Sequence, residues 1–351
     1  MSIPLNTVVQ SDALVFLRQL DDASVDMIAT DPPYNVDKAA WDSWLTNDAY
    51  IAWLDEHLRE MRRVLKPNGS LYLFAAPSLA TKVEVAVDVH FRVLNQVRWY
   101  KDEGWHRKTR KEDLRSYLSP WEAVIVAEQF AADEDHTLAD YELNGLVYAP
   151  LKAWFRACAR RAGISNQEFN TVLGFASNGG GVASGVIGDK IEFAMPTGEV
   201  YARMRAAYPG VFNRDYCDLR QQFDGLRQQF DGLRRPFNAN DDALCEDAWY
   251  FSPVSGYPGK HPCEKPLDML RHIVGVSSRP GDVVLDCFCG SGVTLRAARQ
   301  LDRQYLGCDS DGYWTQRTLD SLRLPFSPRA ERTSDLSGLP MFETLAEVAN
   351  E

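Results

Sequence analysis

The chain is 351 residues long, 45% hydrophobic and 25% charged, which places it among ordinary globular proteins and provides apolar material for one large core or two smaller ones. Its opening residues lack a basic stretch followed by an apolar run, and eighteen apolar residues never occur in succession, so neither a secretory leader nor a membrane span is expected and the expected location is cytoplasmic. A formal net charge of −11 disfavours broad binding to phosphate backbones, so any nucleic-acid surface must be local.

In chain order, residues 7–9 and 25–29 read as short strands flanking a helix at 14–20, and Asp31-Pro32-Pro33-Tyr34 follows at once. Residues 48–65 carry helical apolar spacing that Pro67 and Gly69 bring to an end, and 70–74, 91–99 and 121–126 read as strands. Residues 98–115, RWYKDEGWHRKTRKEDLR, hold seven Lys or Arg against four acids, with Trp99, Tyr100 and Trp105 interleaved. That mixture suits phosphate contact and base stacking, making Arg98, Lys101, Trp105, Arg107, Lys108, Arg110 and Lys111 candidate DNA-binding residues. A solvated loop with its tryptophans turned into the core fits the same pattern.

Residues 128–252 differ in character. Segments 156–162 and 165–173 read as two short helices joined at Gly163, followed by a glycine-rich stretch at 177–188 and a third helix starting near 196–197. The spacing suits a helix-turn-helix unit that presents its second helix to the major groove, and it also suits a compact helical insertion. RQQFDGL then occurs twice, at 220–226 and 227–233. Leu219, Phe223, Leu226, Phe230, Leu233 and Phe237 recur at alternating spacings of four and three, the apolar seam of a helix. Two heptads are short for an intermolecular coiled coil, so this helix is expected to lie on its own domain.

Beyond it, 266–277 reads as helix, 282–287 as strand, 293–301 as helix and 303–308 as strand, before a polar, turn-rich tail at 327–351. Alternating strands and helices at both ends of the chain mark an α/β protein with a parallel, helix-covered sheet. The expected parts are 1–127, an insertion at 128–252, 253–326 and the tail. Seven cysteines without CxxC spacing are expected to be reduced and mostly buried, with no metal site.

The chemistry concentrates in two motifs. In the first, two prolines closing a strand hold an extended turn and withdraw two amide donors, leaving a site rich in acceptors. Such a site matches an exocyclic amine, which has two N–H donors and a lone pair delocalised into its ring. With one hydrogen on Asp31 and the other on the Pro32 carbonyl, the nitrogen is drawn toward tetrahedral geometry and its lone pair is released. Asp31 also stabilises the positive charge that arrives with a methyl group. Pro32 and Pro33 serve as scaffold, and Tyr34 is placed to stack on an extruded base. The same tetrapeptide can be a plain turn, so the second motif matters.

That motif is Asp286-Cys287-Phe288-Cys289-Gly290-Ser291-Gly292, between a strand and a helix. Gly290 and Gly292 let backbone approach a ligand where open parallel sheets bind nucleotide-type cofactors, and Asp309 ends the next strand, where a carboxylate can accept both hydroxyls of a ribose. Leu295 stands at the third glycine position of GxGxxG, so the pattern fits S-adenosylmethionine better than a nicotinamide dinucleotide.

Together these motifs resemble the amino-methylating DNA methyltransferases, in the permuted beta class in which DPPY precedes FxGxG. The resemblance covers both ends of the chain and implies a Rossmann-like S-adenosylmethionine-dependent methyltransferase fold with a mainly helical insertion. It implies that the loop Phe288-Cys289-Gly290-Ser291-Gly292, with Asp286 and Thr294 beside it, holds the methionine part of S-adenosylmethionine. Asp309 is implied to hold the ribose, and Asp12 in QSDAL to lie beside the adenine ring. His261-Pro262-Cys263-Glu264-Lys265-Pro266 looks like the family's HPxxKP segment, which adds His261, Pro262 and Lys265 to the cofactor set.

LRRPF at 233–237 and YPGKHPCEKP at 257–266 look similar to prophage-type adenine methyltransferases, some of relaxed specificity. The implied reaction is methylation of a flipped-out adenine at N6 in duplex DNA, by an enzyme that can work as a homodimer and needs no metal. Cytosine N4, or an amine of RNA or an amide of protein, is an alternative acceptor for the same chemistry. A restriction activity would have to come from another chain. A DNA-binding regulator on a degenerate methyltransferase fold is the reading from another class, and it predicts binding without cofactor.

Overall fold

Short, almost uninterrupted apolar runs at both ends of the chain build one eight-stranded sheet. Its strands are β1 (Thr7–Gln10), β2 (Val25–Thr30), β3 (Leu65–Ala75), β4 (Arg92–Tyr100), β5 (Trp121–Glu128), β6 (Ala248–Trp249), β7 (Val283–Asp286) and β8 (Gln304–Asp309). The computed structural model describes residues 3–36, 42–44, 46–101, 115–129, 140–175, 182–188, 190–238 and 244–323. They divide into two units, Met1–Gln129 with Phe237–Glu351, and Phe130–Pro236.

Strand order in the first unit is β1-β8-β7-β2-β3-β5-β4-β6. The N-terminal and C-terminal strands lie side by side, from Thr7 opposite Leu306 to Gln10 opposite Asp309, so the two ends of the chain complete a single sheet. From β1 to β3 all neighbours are parallel, but β5 is antiparallel to both β3 and β4. This departs from a wholly parallel sheet for a topological reason. Helix α3 (Ala80–Asp88) carries the chain from β3 to a parallel β4 two strand positions away, leaving a gap of one strand. The chain then enters the gap from the end where β4 finished, so β5 must run back.

Alternate residues of the strands supply two cores. Ile28, Leu71, Leu73 and Leu285 share one with α3 and with residues of α1 (Ala13–Leu17) and α2 (Asn47–Val64). Met27, Ala29, Phe74 and Val284 share the other with α10 (Leu267–Ser277) and α11 (Val293–Gln300). Leu322 of α12 (Gly312–Arg323) packs with Val8 and Leu295. Helix α2 begins where the Thr46 hydroxyl accepts from the Ala49 amide at 3.1 Å and ends at Val64, close to the expected stop. Pro67 and Gly69 nevertheless fall inside β3. Val25 faces Leu65 while Met27 faces Ser70, so residues 66–69 bulge out of the ladder and the missing proline donor is tolerated.

The second unit is helical: α4 (Asp140–Val147), α5 (Ala149–Arg161), α6 (Asn166–Val172), α7 (Val182–Val186), α8 (Gly198–Ala207) and α9 (Tyr216–Leu233). Its core includes Phe155, Phe169, Tyr201, Met204, Phe212 and Leu219. Gly163, at φ +66°, turns the chain between α5 and α6, and α5 starts well before the expected residue 156. The repeated heptads form α9. Leu219 is buried, and Phe223, Leu226 and Phe230 pack on the unit's own core, while Leu233 at the end of the seam is exposed. Residues 177–181 of the glycine-rich stretch and the tail at 327–351 lie outside the described residues.

All seven cysteines are free thiols, and Cys158, Cys287, Cys289 and Cys308 are buried. No helix among the described residues is long and apolar enough to cross a membrane. Leu285 sits wholly buried at the centre of β7, directly opposite Ile28. Leu285→Ala should lower unfolding free energy by about 2–5 kcal/mol in urea titration, because neighbours on two strands cannot collapse into the space.

Candidate active site

Parallel strands deliver their carboxyl ends to one edge, and here each of four neighbouring strands finishes on or just before an aspartate. Asp12 follows β1, Asp31 follows β2, Asp286 ends β7 and Asp309 ends β8. All four line a cavity of about 280 Å³. It is also lined by Pro32, Pro33, Tyr34, His261, Lys265, Phe288, Gly290, Ser291 and Thr294. Pro262 and Gly292 are not among the lining residues: Pro262 is exposed and Gly292 is buried behind the loop.

The turn after β2 is held from below by a residue that the sequence did not single out. Asp42, 1% exposed, accepts from the Tyr34 amide at 2.6 Å and the Asn35 amide at 2.7 Å through one oxygen. Asn35 adopts φ +56°, a conformation that asparagine tolerates better than most side chains, and its amide oxygen accepts from the Trp44 amide at 2.7 Å. The DPPY segment is thus clamped on its C-terminal side by two polar residues of the loop that follows it.

Asp31 sits at the centre of a charge network. The Tyr34 hydroxyl donates to its Oδ1, and the Lys265 ammonium donates to its Oδ2. Lys265 is 5% exposed, and its Nζ lies 3.2 Å from the Tyr34 hydroxyl and 3.4 Å from Glu122 Oε2. The other oxygen of Glu122, Oε1, takes the ammonium of Lys101. Burial works against the charge on Lys265, but Asp31 and Glu122 outweigh it and hold the group protonated. Burial first, then the charges of Asp31 and Glu122, push the Tyr34 phenol far up, so it stays a neutral donor. The Tyr34 ring is 7% exposed, with Lys265 Nζ 5.3 Å from its centroid.

At the other end, the β7–α11 loop folds tightly because two glycines adopt left-handed backbone. Gly290 has φ +46°, and a Cβ there would stand 3.0 Å from the His261 ring; Gly292 has φ +73°, and a Cβ there would stand 2.3 Å from Thr318 Cγ2. The Gly290 amide donates to Asp309 Oδ2 at 2.8 Å and the Asp311 amide to Oδ1 at 2.9 Å, fixing the Asp309 carboxylate at the cavity wall. Each oxygen keeps a lone pair for a ligand hydroxyl. Asp12 caps α1 by accepting from the Val15 amide at 3.0 Å.

Asp286 is 3% exposed, and burial pushes its carboxyl up to about 6. Donors oppose that rise: the Thr30 hydroxyl at 2.7 Å, the Thr294 hydroxyl and the Phe288 amide at 3.2 Å. Phe288 belongs to an aromatic cluster with Trp53, at 5.8 Å between centroids, and Trp44 packs on Trp53 at 4.9 Å. His261 stands edge-on to Trp314 at 4.4 Å and accepts from the Cys263 amide through Nδ1 at 3.2 Å. Burial lowers its pKa, so it is a neutral wall rather than a charge.

Of the expected DNA-binding residues, Arg98 lies on β4 with its guanidinium 5.1 Å from the Trp121 ring centroid, and Lys101 is tied to Glu122. Trp105, Arg107, Lys108, Arg110 and Lys111 lie outside the described residues. Trp99 is a core residue, 2% exposed, whose Nε1 donates to the Phe251 carbonyl at 2.7 Å, so it is not available for base stacking. No cluster of metal-ligating side chains occurs among the described residues.

Residues 25–316 match the N6/N4 DNA methylase family. Type II methyltransferase M1.MboII of Moraxella bovis is 24% identical over 324 residues, covering 90% of this chain and 95% of its own. DNA adenine methyltransferase YhdJ of Escherichia coli (strain K12) is 24% identical over 325 residues, covering 90% of this chain and 82% of its own. Among solved structures, the PvuII DNA methyltransferase (cytosine-N4-specific) is similar with a TM-score of 0.51 and 11% identity, over 99% of this chain and 93% of that one, a likeness of fold.

Asp42→Ala should free the amides of Tyr34 and Asn35. Hydrogen exchange at those two positions should accelerate, with an overall stability loss of about 1–3 kcal/mol. Unchanged exchange would mean that the prolines alone hold the turn.

Proposed function

Because the chain belongs to the N6/N4 DNA methylase family, we propose that it methylates the N6 amino group of an adenine flipped out of duplex DNA. The methyl donor is S-adenosylmethionine. The observation that carries the reading is Asp31, a carboxylate held by Tyr34 and Lys265 at the wall of the cavity that the cofactor loop also lines.

The residues present fit that donor. The backbone at Gly290 leaves a space that any Cβ would fill, Asp309 offers two fixed acceptor oxygens to a diol, and the buried Asp286 suits an ammonium. Phe288 and Trp53 offer an apolar wall to a purine ring. When bound, S-adenosylmethionine supplies the methyl group as an electrophile on a sulfonium.

The chain's own residues do the rest. Asp31 accepts one amino hydrogen through a remaining lone pair and the Pro32 carbonyl accepts the other, which localises the nitrogen lone pair toward the methyl group. Tyr34 provides the ring against which the base rests. The methylated nitrogen is a strong acid until it loses its extra proton, so that proton leaves to Asp31 or to water without a strong base. The helical unit 130–236 reads the target, with α6 as the candidate groove helix, and the basic run at 98–115 contacts phosphates.

DPPY and the name of the Escherichia coli relative support adenine over cytosine. Transfer of labelled methyl to unmethylated duplex DNA, followed by nucleoside analysis, tests this. Label in N6-methyladenine that disappears with Asp31→Ala is the expected result. Label in methylcytosine would move the acceptor to N4, and tight DNA binding without label would indicate a regulator.

Cofactor affinity should also report on Asp286. With its pKa near 6, the carboxyl is ionised above that pH and neutral below it, so affinity for the cofactor ammonium should fall as pH drops. Calorimetry should show the dissociation constant rising by up to about tenfold per pH unit below 6. Asp286→Asn should weaken binding at pH 7.5 and flatten the profile.

A further inference from the structure

The geometry assigns Lys265 and Glu122 to the catalytic end of the cavity, as positioning residues that set the Asp31 carboxylate; this rests on the methyl-transfer reading above. An ammonium has three N–H donors. Around Lys265 stand three acceptors, Asp31 Oδ2, the Tyr34 hydroxyl at 3.2 Å and Glu122 Oε2 at 3.4 Å. Two of these contacts are hydrogen bonds and the third is an ion pair, so the ammonium is directed at Asp31 and its neighbours. The HPxxKP resemblance, by contrast, implies a place for this lysine in the cofactor set.

Glu122 fixes the lysine in turn. It lies near the start of β5, 8% exposed, in the otherwise apolar run WEAVIVA. One of its oxygens faces Lys265 and the other takes Lys101, just past the end of β4. Charges alternate along the line Lys101, Glu122, Lys265, Asp31, so the array sums to zero and each buried ion has an opposite neighbour. Strands β4 and β5 hold the outer pair through the sheet ladder, from Trp99 opposite Glu122 to Tyr100 opposite Trp121. An amine hydrogen needs its acceptor aimed closely, and an ammonium anchored at a second carboxylate fixes the plane of Asp31 better than solvent could. Without Glu122, Lys265 would lose one of its three acceptors and be free to swing around Asp31.

The test uses the full chain with Lys265→Met, Lys265→Arg, Glu122→Gln and the double variant Lys265→Met with Glu122→Gln. Steady-state methyl transfer to duplex DNA is measured together with calorimetric binding of S-adenosylmethionine. Lys265→Met and Glu122→Gln should each lower kcat about 100-fold, the scale of a misaligned catalytic group. S-adenosylmethionine affinity should stay within about threefold, Lys265→Arg should recover part of kcat, and the double variant should be no worse than the poorer single. Preserved kcat with affinity weakened about tenfold would return Lys265 to the cofactor and overturn the assignment. Equal losses in the Arg and Met variants, with lowered melting temperatures, would also overturn it in favour of a purely structural role. If the wild type bound cofactor but moved no methyl group to DNA, the functional reading would fail, and the binding arm alone would decide the place of Lys265.

Discussion

The site depends on one pairing: β2 lies directly against β7, parallel, with Met27 opposite Val284 and Ile28 opposite Leu285. Parallel neighbours finish at the same edge, so Asp31 and Asp286 come together although 255 positions separate them in sequence. The Thr30 hydroxyl bridges the strand ends by donating to Asp286 at 2.7 Å. Asp12 and Asp309 arrive beside them through the pairing of β1 with β8. A sheet edge with four carboxylates is electrostatically expensive, and each is treated differently. Asp31 receives an ammonium, Asp309 two backbone amides, Asp12 a helix-cap amide, and Asp286 hydroxyls and an amide. Asp286 is the carboxyl that burial raises to about 6, with the charge of Asp31 adding to the rise.

How much of this was legible in the sequence depends on whether a residue's role is local. DPPY after an apolar strand and FCGSG between strand and helix announce their backbone geometry themselves, because prolines and glycines act on their own turns. Asp31, Asp286 and Asp309 could therefore be named at or near those turns, whereas Asp12 came only from the family resemblance. Asp42 and Glu122 were missed for different reasons. Asp42 accepts from amides seven and eight residues earlier, and no periodicity marks such a loop clamp. Glu122 did leave a signal: one acid in the run WEAVIVA, where every neighbour after it is apolar, is a charge placed in a buried strand. Its partners lie 21 and 143 residues away at Lys101 and Lys265, so only the fold identifies them.

The helical unit shows the same division between local and distant information. The duplicated RQQFDGL fixes an apolar seam and an i,i+4 ion pair in each copy, Arg220 with Asp224 at 3.1 Å and Arg227 with Asp231 at 3.6 Å. Seven residues turn an α-helix by almost two full turns, so the second copy continues the seam of the first with a drift of about 20°. The seam could have faced another chain. It packs instead on Tyr148 and Phe193, with Phe223 stacked on Tyr148 at 4.9 Å, while Leu233 at the end of the helix and Phe237 beyond it are exposed. A Cβ added at Gly225 or Gly232 would meet nothing within 4 Å, so both positions face the open side of the helix, where their cost is propensity alone.

The charge array also bears on why an acceptor rather than a base suits this reaction. A carboxylate meant to remove a proton gains from isolation, which raises its affinity for that proton. Asp31 is not isolated: an ammonium and a phenol donate to its two oxygens, and the ammonium is itself held by Glu122. Such a carboxylate is a fixed negative pole with lone pairs still open. That arrangement polarises an amino group and steadies positive charge as it forms on nitrogen, without competing for the hydrogen beforehand. It also demands that the array stay neutral overall, because an unpaired cation at Lys265 would oppose the charge that Asp31 is there to stabilise. Glu122 supplies that balance, and Lys101 closes the line. The chemistry of the amine and the electrostatics of the buried lysine thus impose the same requirement on this corner of the sheet.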